Sequence, residues 1–194
     1  MGETETGMAQ AMKNEQPSAS SGDGDLVCDL LGDEYFMRAA LRQAERAAMN
    51  GEVPVGAVAV KDGVIVARTW NQVELLQDAT AHAEILAITS LSAEWRQWRL
   101  DGVDLYVTKE PCAMCAGALV NSRIRRLVFG MRDPRSGAAG SALDVTGFRG
   151  MLHQVEVRGG VLEEECKELM QAFFRERRDE KKQSRIPSPP PGKK

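Results

Sequence analysis

The sequence holds only two histidines, His82 and His153, and four cysteines, Cys28, Cys112, Cys115 and Cys166, among 194 residues. Cysteine this sparse argues against a dense disulfide framework, and the close Cys-x-x-Cys pair reads instead as a metal-binding or redox element of a reducing compartment. Any histidine-containing site has two candidates at most. No apolar run approaches the roughly 18 residues needed to span a bilayer, so no membrane association is expected. The first thirty residues are acidic and rich in Ser and Gly, without the basic start and long apolar stretch of a signal peptide. A cytoplasmic location is expected by default.

A basic excess is also missing. Net charge is −3 and the sequence pI is about 5.6, whereas a generic nucleic-acid-binding domain usually exceeds a pI of about 9. The average conceals a gradient. Residues 1–34 carry eight acids against the single base Lys13, a net of −7, while residues 173–194 carry eight bases against three acids, a net of +5. An anionic partner would be met by local patches rather than by the whole surface.

What is present suits one globular domain: 43% hydrophobic and 27% charged residues. Residues 1–32 offer few apolar side chains to offset ordering entropy and are expected to be disordered. A disordered tail is expected over 183–194, where Pro187, Pro189, Pro190 and Pro191 forbid a helix. The domain is thus placed at 33–182. Within it, Phe36, Ala40, Leu41, Ala44, Ala47 and Ala48 form one face of a helix over 33–50, stopped by Gly51. Asp62-Gly63 joins two β-branched runs, 55–61 and 64–68, into a hairpin. A loop is expected to reach Thr80, which would cap a helix from Ala81. Strands follow at 104–108, 126–130 and about 154–158, with a helix opened by Pro111 and a closing helix over about 162–179. The alternation predicts an α/β fold, a three-layer α/β/α sandwich on a five-stranded mixed sheet.

Chemistry is concentrated in Thr80-Ala81-His82-Ala83-Glu84 and Pro111-Cys112-Ala113-Met114-Cys115. Cysteines at i and i+3 share a helical face, and a helix N-terminus favours their thiolates. His82 supplies a third ligand from another helix. Three protein ligands leave the fourth tetrahedral position of Zn2+ for water, and zinc lowers the pKa of that water toward about 7. Glu84, two positions past His82, can reach the water without ligating the metal and can shuttle its proton. Either pair alone is weak, since Cys-x-x-Cys also marks redox or structural zinc sites. The conjunction is the specific signal. Cys166 falls on the apolar face of the last helix and reads as a small core residue, Cys28 as a free thiol, and His153 as a hydrogen-bonded or solvated side chain.

The pattern His-x-Glu with Pro-Cys-x-x-Cys resembles the signature of the zinc-dependent nucleobase deaminases. Residues 51–92 (GEVPVGAVAVKDGVIVARTWNQVELLQDATAHAEILAITSLS), 104–150 and ECKELMQAFFRERR are more narrowly similar to the bacterial tRNA-specific adenosine deaminases, over about residues 33–182. That resemblance implies a cytidine deaminase-like fold, one zinc per subunit, a homodimer, and conversion of the wobble adenosine of a tRNA anticodon stem-loop to inosine. It implies zinc ligation by His82, Cys112 and Cys115 and proton transfer by Glu84. Asn71 would hydrogen-bond the flipped base, and Val53 and Pro54 would wall its pocket. Asp133 would hold a ribose hydroxyl, and Arg132, Phe174, Arg175 and Arg178 would contact the RNA. Phe173 falls with the core on a helical wheel and Phe174 at its edge, so Phe174 is the stacking candidate. Arg123, Arg125, Arg126, Arg132 and Arg135 make a candidate basic patch. Lys109 departs from the family, which has an apolar residue in that position of Thr-Lys-Glu-Pro-Cys.

Two other readings compete. A deaminase of free cytosine, guanine or a nucleoside would share the zinc chemistry without needing the basic surface. A non-catalytic zinc-stabilised RNA-binding module would have no use for Glu84.

Overall fold

The Asp62-Gly63 hairpin sets the sheet in motion: both residues have positive φ, 50° and 74°, as a two-residue turn between right-twisted strands requires. It joins β1 (Gly56–Lys61) to β2 (Val64–Trp70), paired antiparallel from Gly56↔Trp70 to Lys61↔Val64 with a bulge between Ala59 and Val60. The computed structural model describes residues 23–184, with side chains from residue 32 onward. Of the disorder expected over 1–32 and 183–194, residues 1–22 and 185–194 lie outside the described residues, as does the Cys28 side chain, whereas residues 23–31 and 183 are helical.

The remaining elements are α1 (Asp23–Met49), α2 (Val73–Leu76), α3 (Ala83–Trp95), β3 (Val103–Lys109), α4 (Ala113–Asn121), β4 (Arg126–Met131), β5 (Glu156–Gly159) and α5 (Glu163–Gln183). α1 breaks at Gly32, where φ is 67° and ψ 159°, and helix resumes at Asp33, where the apolar periodicity starts. The sheet has five strands in the order β2-β1-β3-β4-β5. β3 is antiparallel to β1, while β3-β4 and β4-β5 are parallel. This is the five-stranded mixed sheet expected from the sequence.

Alternation along buried strands divides the core by face. Val58, Val60, Tyr106 and Val128 pack against Phe36, Met37 and Ala40 of α1 and Cys166 of α5. Ala57, Ala59, Leu105, Val107, Leu127 and Phe129 turn to the other side, against Ala83, Ala87 and Leu91 of α3 and Leu119 and Val120 of α4. Three layers result. The first helix lies tight against the sheet at Gly56, where any Cβ would overlap the Ala40 carbonyl oxygen. Cys166 is 3% exposed, a core residue as its helical face predicts.

Several element boundaries differ from the sequence reading. The expected loop before Thr80 contains the one-turn helix α2. Thr80 does not cap α3: its amide and hydroxyl both bond Asp78 Oδ1, at 2.8 and 2.7 Å, and His82 takes the N-cap position. Pro111 likewise stands before the helix rather than in its first turn, with Cys112 at the N-cap of α4. β5 begins at Glu156, and His153 precedes it, hydrogen-bonded through Nε2 to the Ile124 carbonyl at 2.7 Å. No described helix is long and apolar enough to cross a membrane.

The basic patch is split by strand direction. Arg125 and Arg126 stand at the start of β4 and pair in bidentate fashion with Asp104 and Asp33, respectively. Arg132 and Arg135 follow the other end of that strand. Six residues of strand put roughly 16 Å between the two groups.

Candidate active site

α3 and α4 both begin on the same side of the sheet, and each places a ligand-type residue at its N-cap. His82 and Cys112 have extended backbones (ψ 152° and 174°), and neither side chain is spent on capping its helix. Cys115 lies one turn into α4 and is fully buried. His82 Nδ1 is 3.7 Å from Cys112 Sγ and 3.4 Å from Cys115 Sγ. A tetrahedral zinc with Zn–N of about 2.0 Å and Zn–S of about 2.3 Å needs N···S edges of about 3.5 Å. All three donors lie within 4.8 Å of one another. The donor set therefore fits one small, thiophilic divalent ion, and the fold brings together the three residues singled out from sequence.

The electrostatics favour a thiolate here. Hydrogen bonding from Cys115 and then from His82 draws Cys112 down to about 3. Cys115, sharing the same proton, is pushed up, first by the Cys112 thiolate and then by burial. His82 is held above the ordinary imidazole value, chiefly by its hydrogen bond with Cys112.

Glu84 occupies the first turn of α3 and is 3% exposed. Burial pushes its carboxyl above the usual carboxylate range. Its Oε2 is buried without a hydrogen-bond partner in the protein, the kind of orphan acceptor that calls for a ligand or water. A proton-transfer group tuned upward beside a cleft is what acid–base chemistry near neutral pH requires.

The cleft itself has a volume of about 290 Å3 and brings His82, Glu84 and Cys112 together with Val53, Asn71 and Lys109. That volume suits a single base. Val53, Val55 and Val73 form the apolar lining, whereas Pro54 is buried and does not line the cleft. Asn71 is 6% exposed and gives Nδ2–H to Glu52 Oε2 at 3.0 Å. Glu52 also accepts the Leu75 amide at 2.7 Å, tying α2 to the cleft wall.

Sequence reasoning passed over Glu52 and Glu110, both 1% exposed. Glu110 follows β3 directly and gathers the loop after β4. Oε1 accepts the amides of Ala139 and Ser141 at 3.1 and 3.0 Å, and Oε2 the amide of Asp133 at 3.0 Å and the Ser141 hydroxyl. Gly137 must stay bare, since a Cβ would strike the Glu110 carboxyl. The available signal was the placement of each acid beside an apolar strand, Glu52 before Val53-Pro54-Val55 and Glu110 after Val107-Thr108.

Asp133 lies at the rim, but its oxygens are engaged. Oδ1 accepts the amides of Arg135 and Ser136, and Oδ2 the Ser136 hydroxyl and the Lys109 ammonium, the last at 2.6 Å. Burial alone would raise its carboxyl, yet the Lys109, Ser136 and Arg135 hydrogen bonds hold it well below the usual range. Arg132 is exposed and stacks over Phe129, with 5.6 Å from guanidinium to ring centroid. Beyond the loop, a groove of about 500 Å3 is lined by Arg135, Phe174, Arg175 and Arg178 together with Met170 and Gln171. Phe173 is 8% exposed and Phe174 43%, the division between core and surface that the helical wheel predicts.

Fold and site together define a deaminase of the cytidine deaminase-like class, and the profile of the MafB19-like deaminases matches residues 32–178. A curated relative, the tRNA-specific adenosine deaminase of Bacillus subtilis (strain 168), is 48% identical over 153 residues, covering 79% of this chain and 95% of the relative. The chain belongs to the tRNA-specific adenosine deaminase family. A solved structure from work on A-to-I editing by tRNA:A34 deaminases superposes with a TM-score of 0.68 at 44% identity, over 70% of this chain and 98% of that one. The guanine deaminase of Nitrosomonas europaea superposes with a TM-score of 0.64 at 24% identity, covering 73% and 84% of the two chains, and shows the shared fold alone.

Proposed function

We propose that the protein is a tRNA adenosine deaminase that hydrolyses the exocyclic amine of the wobble adenosine, adenosine-34, to yield inosine and ammonia. Zinc, held by His82 Nδ1 and the thiolates of Cys112 and Cys115, would supply an activated water nucleophile near neutral pH. The observation that carries the reading is Glu84: a buried carboxylate with one free oxygen, beside the metal donors and inside a base-sized cleft. Glu84 takes one proton of the attacking water and delivers it to the ring nitrogen of adenine. It then takes the second proton from the hydroxyl left on the ring carbon and passes it to the amine, which departs as ammonia as the C=O bond forms. Asn71, steadied by Glu52, hydrogen-bonds the base through its remaining amide groups, while Val53, Val55 and Val73 exclude water from its face. Extrusion of a base is cheapest from a single-stranded loop, which suits an anticodon.

The groove of Arg135, Phe174, Arg175 and Arg178 supports RNA binding, with Phe174 stacking on a splayed base and the arginines on phosphates. Arg132, exposed just after β4, is a further RNA contact in the same reading. A homodimer and a cytoplasmic location belong to the same reading. Exposed apolar side chains before β5, Phe148 at 60% and Leu152 at 92%, supply surface of the kind that a second copy covers.

The test is inosine mapping after incubation of zinc-loaded protein with an anticodon stem-loop, alongside free guanine and cytosine. Inosine at the wobble position is expected. Turnover of the free bases without turnover of the RNA would overturn the assignment.

A further inference from the structure

The cleft that would receive a base from an RNA strand has an acidic lining. Glu52, Glu74, Glu84 and Glu110 all line it, and among the described lining residues Lys109 is the one lysine or arginine. A base swung into this cleft brings its flanking phosphodiesters to the mouth, where this lining offers them no positive charge besides Lys109. The last residue of β3 is placed to supply that charge. Its side chain is 25% exposed and its ammonium meets Asp133 Oδ2 at 2.6 Å. An ammonium has three N–H groups, and Asp133 is the one partner Lys109 has among the described residues, so two remain for an incoming anion.

Asp133 does not depend on Lys109 for its hydrogen bonds. If the ammonium turned away, the carboxylate would keep the amides of Arg135 and Ser136 and the Ser136 hydroxyl. The pair can therefore open without stranding a buried charge. The same loop residues lead from Lys109 through Asp133 and Arg135 to the groove of Phe174, Arg175 and Arg178, so the lysine stands where a strand would pass from groove to cleft.

We propose that Lys109 is a specificity-determining residue that takes a phosphodiester oxygen of the nucleotide flanking the flipped base, with Asp133 holding the ammonium at the mouth until RNA arrives. This rests on the tRNA reading above and names a contact within it.

The experiment measures binding of the zinc-loaded enzyme to an anticodon stem-loop across a salt series, with steady-state kinetics in parallel. Lys109→Met is expected to raise Kd and KM about tenfold, to keep kcat within about twofold, and to flatten the dependence of log Kd on log salt by about 0.7. Lys109→Arg recovers most of the affinity and the slope. Asp133→Asn keeps the turn's acceptor and releases the ammonium, so its salt slope is at least as steep as the parent's. If Lys109 only pins the loop through Asp133, then Lys109→Met and Asp133→Asn weaken binding alike with the salt slope unchanged, and the proposal is overturned. An unchanged Kd for Lys109→Met overturns it too. Failure of the parent enzyme to bind or deaminate the stem-loop strikes the tRNA assignment itself and is seen before any variant is made.

Discussion

Glu52 Oε2 accepts a hydrogen bond from Asn71 Nδ2 at 3.0 Å, and both buried side chains line the cleft. Neither residue lies in the helices that carry the metal donors. The pair joins the segment before β1 to the segment after β2, so the wall facing the base is fixed from both ends of the hairpin.

Glu52→Ala should therefore act on catalysis at a distance. It leaves the buried Asn71 amide without its partner, costing about 1–3 kcal/mol of stability, and releases the Leu75 amide that holds α2. The loosened Asn71 is expected to lower kcat/KM by about 100-fold, with Glu52→Gln intermediate because it keeps an acceptor. Thermal melts and kinetics on the stem-loop measure both effects.

Glu84→Ala should separate binding from chemistry. Zinc content and RNA affinity are expected to stay at parental levels, while inosine formation falls by at least about 100-fold. Retained activity in this variant would reject the proton-shuttle role and leave a zinc-stabilised RNA-binding module as the better reading.

Cys112→Ser should do the opposite and remove the metal itself. Metal binding and folding are coupled, so the variant is expected to lose bound zinc, activity and thermal stability together. A strong chelator should reproduce the loss in the parent protein, with recovery on adding zinc. Elemental analysis and calorimetry report the result.

The opposite end of the sheet makes a prediction about pH. Asp33 accepts both Arg126 guanidinium nitrogens, at 2.9 and 2.8 Å, together with the Tyr106 hydroxyl at 2.9 Å. Burial alone would raise its carboxyl, but Arg126 and Tyr106 outweigh that and lower it below the ordinary value of 3.8. A depressed folded value means that this stabilisation is complete above the unfolded value and is lost as pH falls through the folded one. Asp33→Asn should consequently be less stable than the parent at pH 7, and the gap should close as the solution is acidified below about 3.8. Denaturant melts at neutral and acid pH test the sign.

The closeness of Cys112 and Cys115 was legible in the sequence because a helix N-terminus imposes a local geometry: a residue at the N-cap and one three positions later must lie together. The hairpin was legible for a similar reason, since Asp62-Gly63 dictates its own turn. Glu52 and Glu110 were not, because their burial is decided by contacts with segments that periodicity cannot bring together. Glu110 reaches 31 residues ahead to Ser141. The arginine cluster misled for the converse reason. Arg126 and Arg132 are close in sequence, yet an extended strand carries them to opposite ends of β4.

Glu110 also governs how the rim of the cleft can change. One carboxyl group fastens residues 133, 139 and 141 at once, and the bare backbone at Gly137 admits no side chain. Lengthening or shortening the segment between these anchor points would break the clasp before it could reshape the opening. Redesign toward a different strand must then work through the exposed tip, Pro134 and Arg135, by exchanging side chains at constant length.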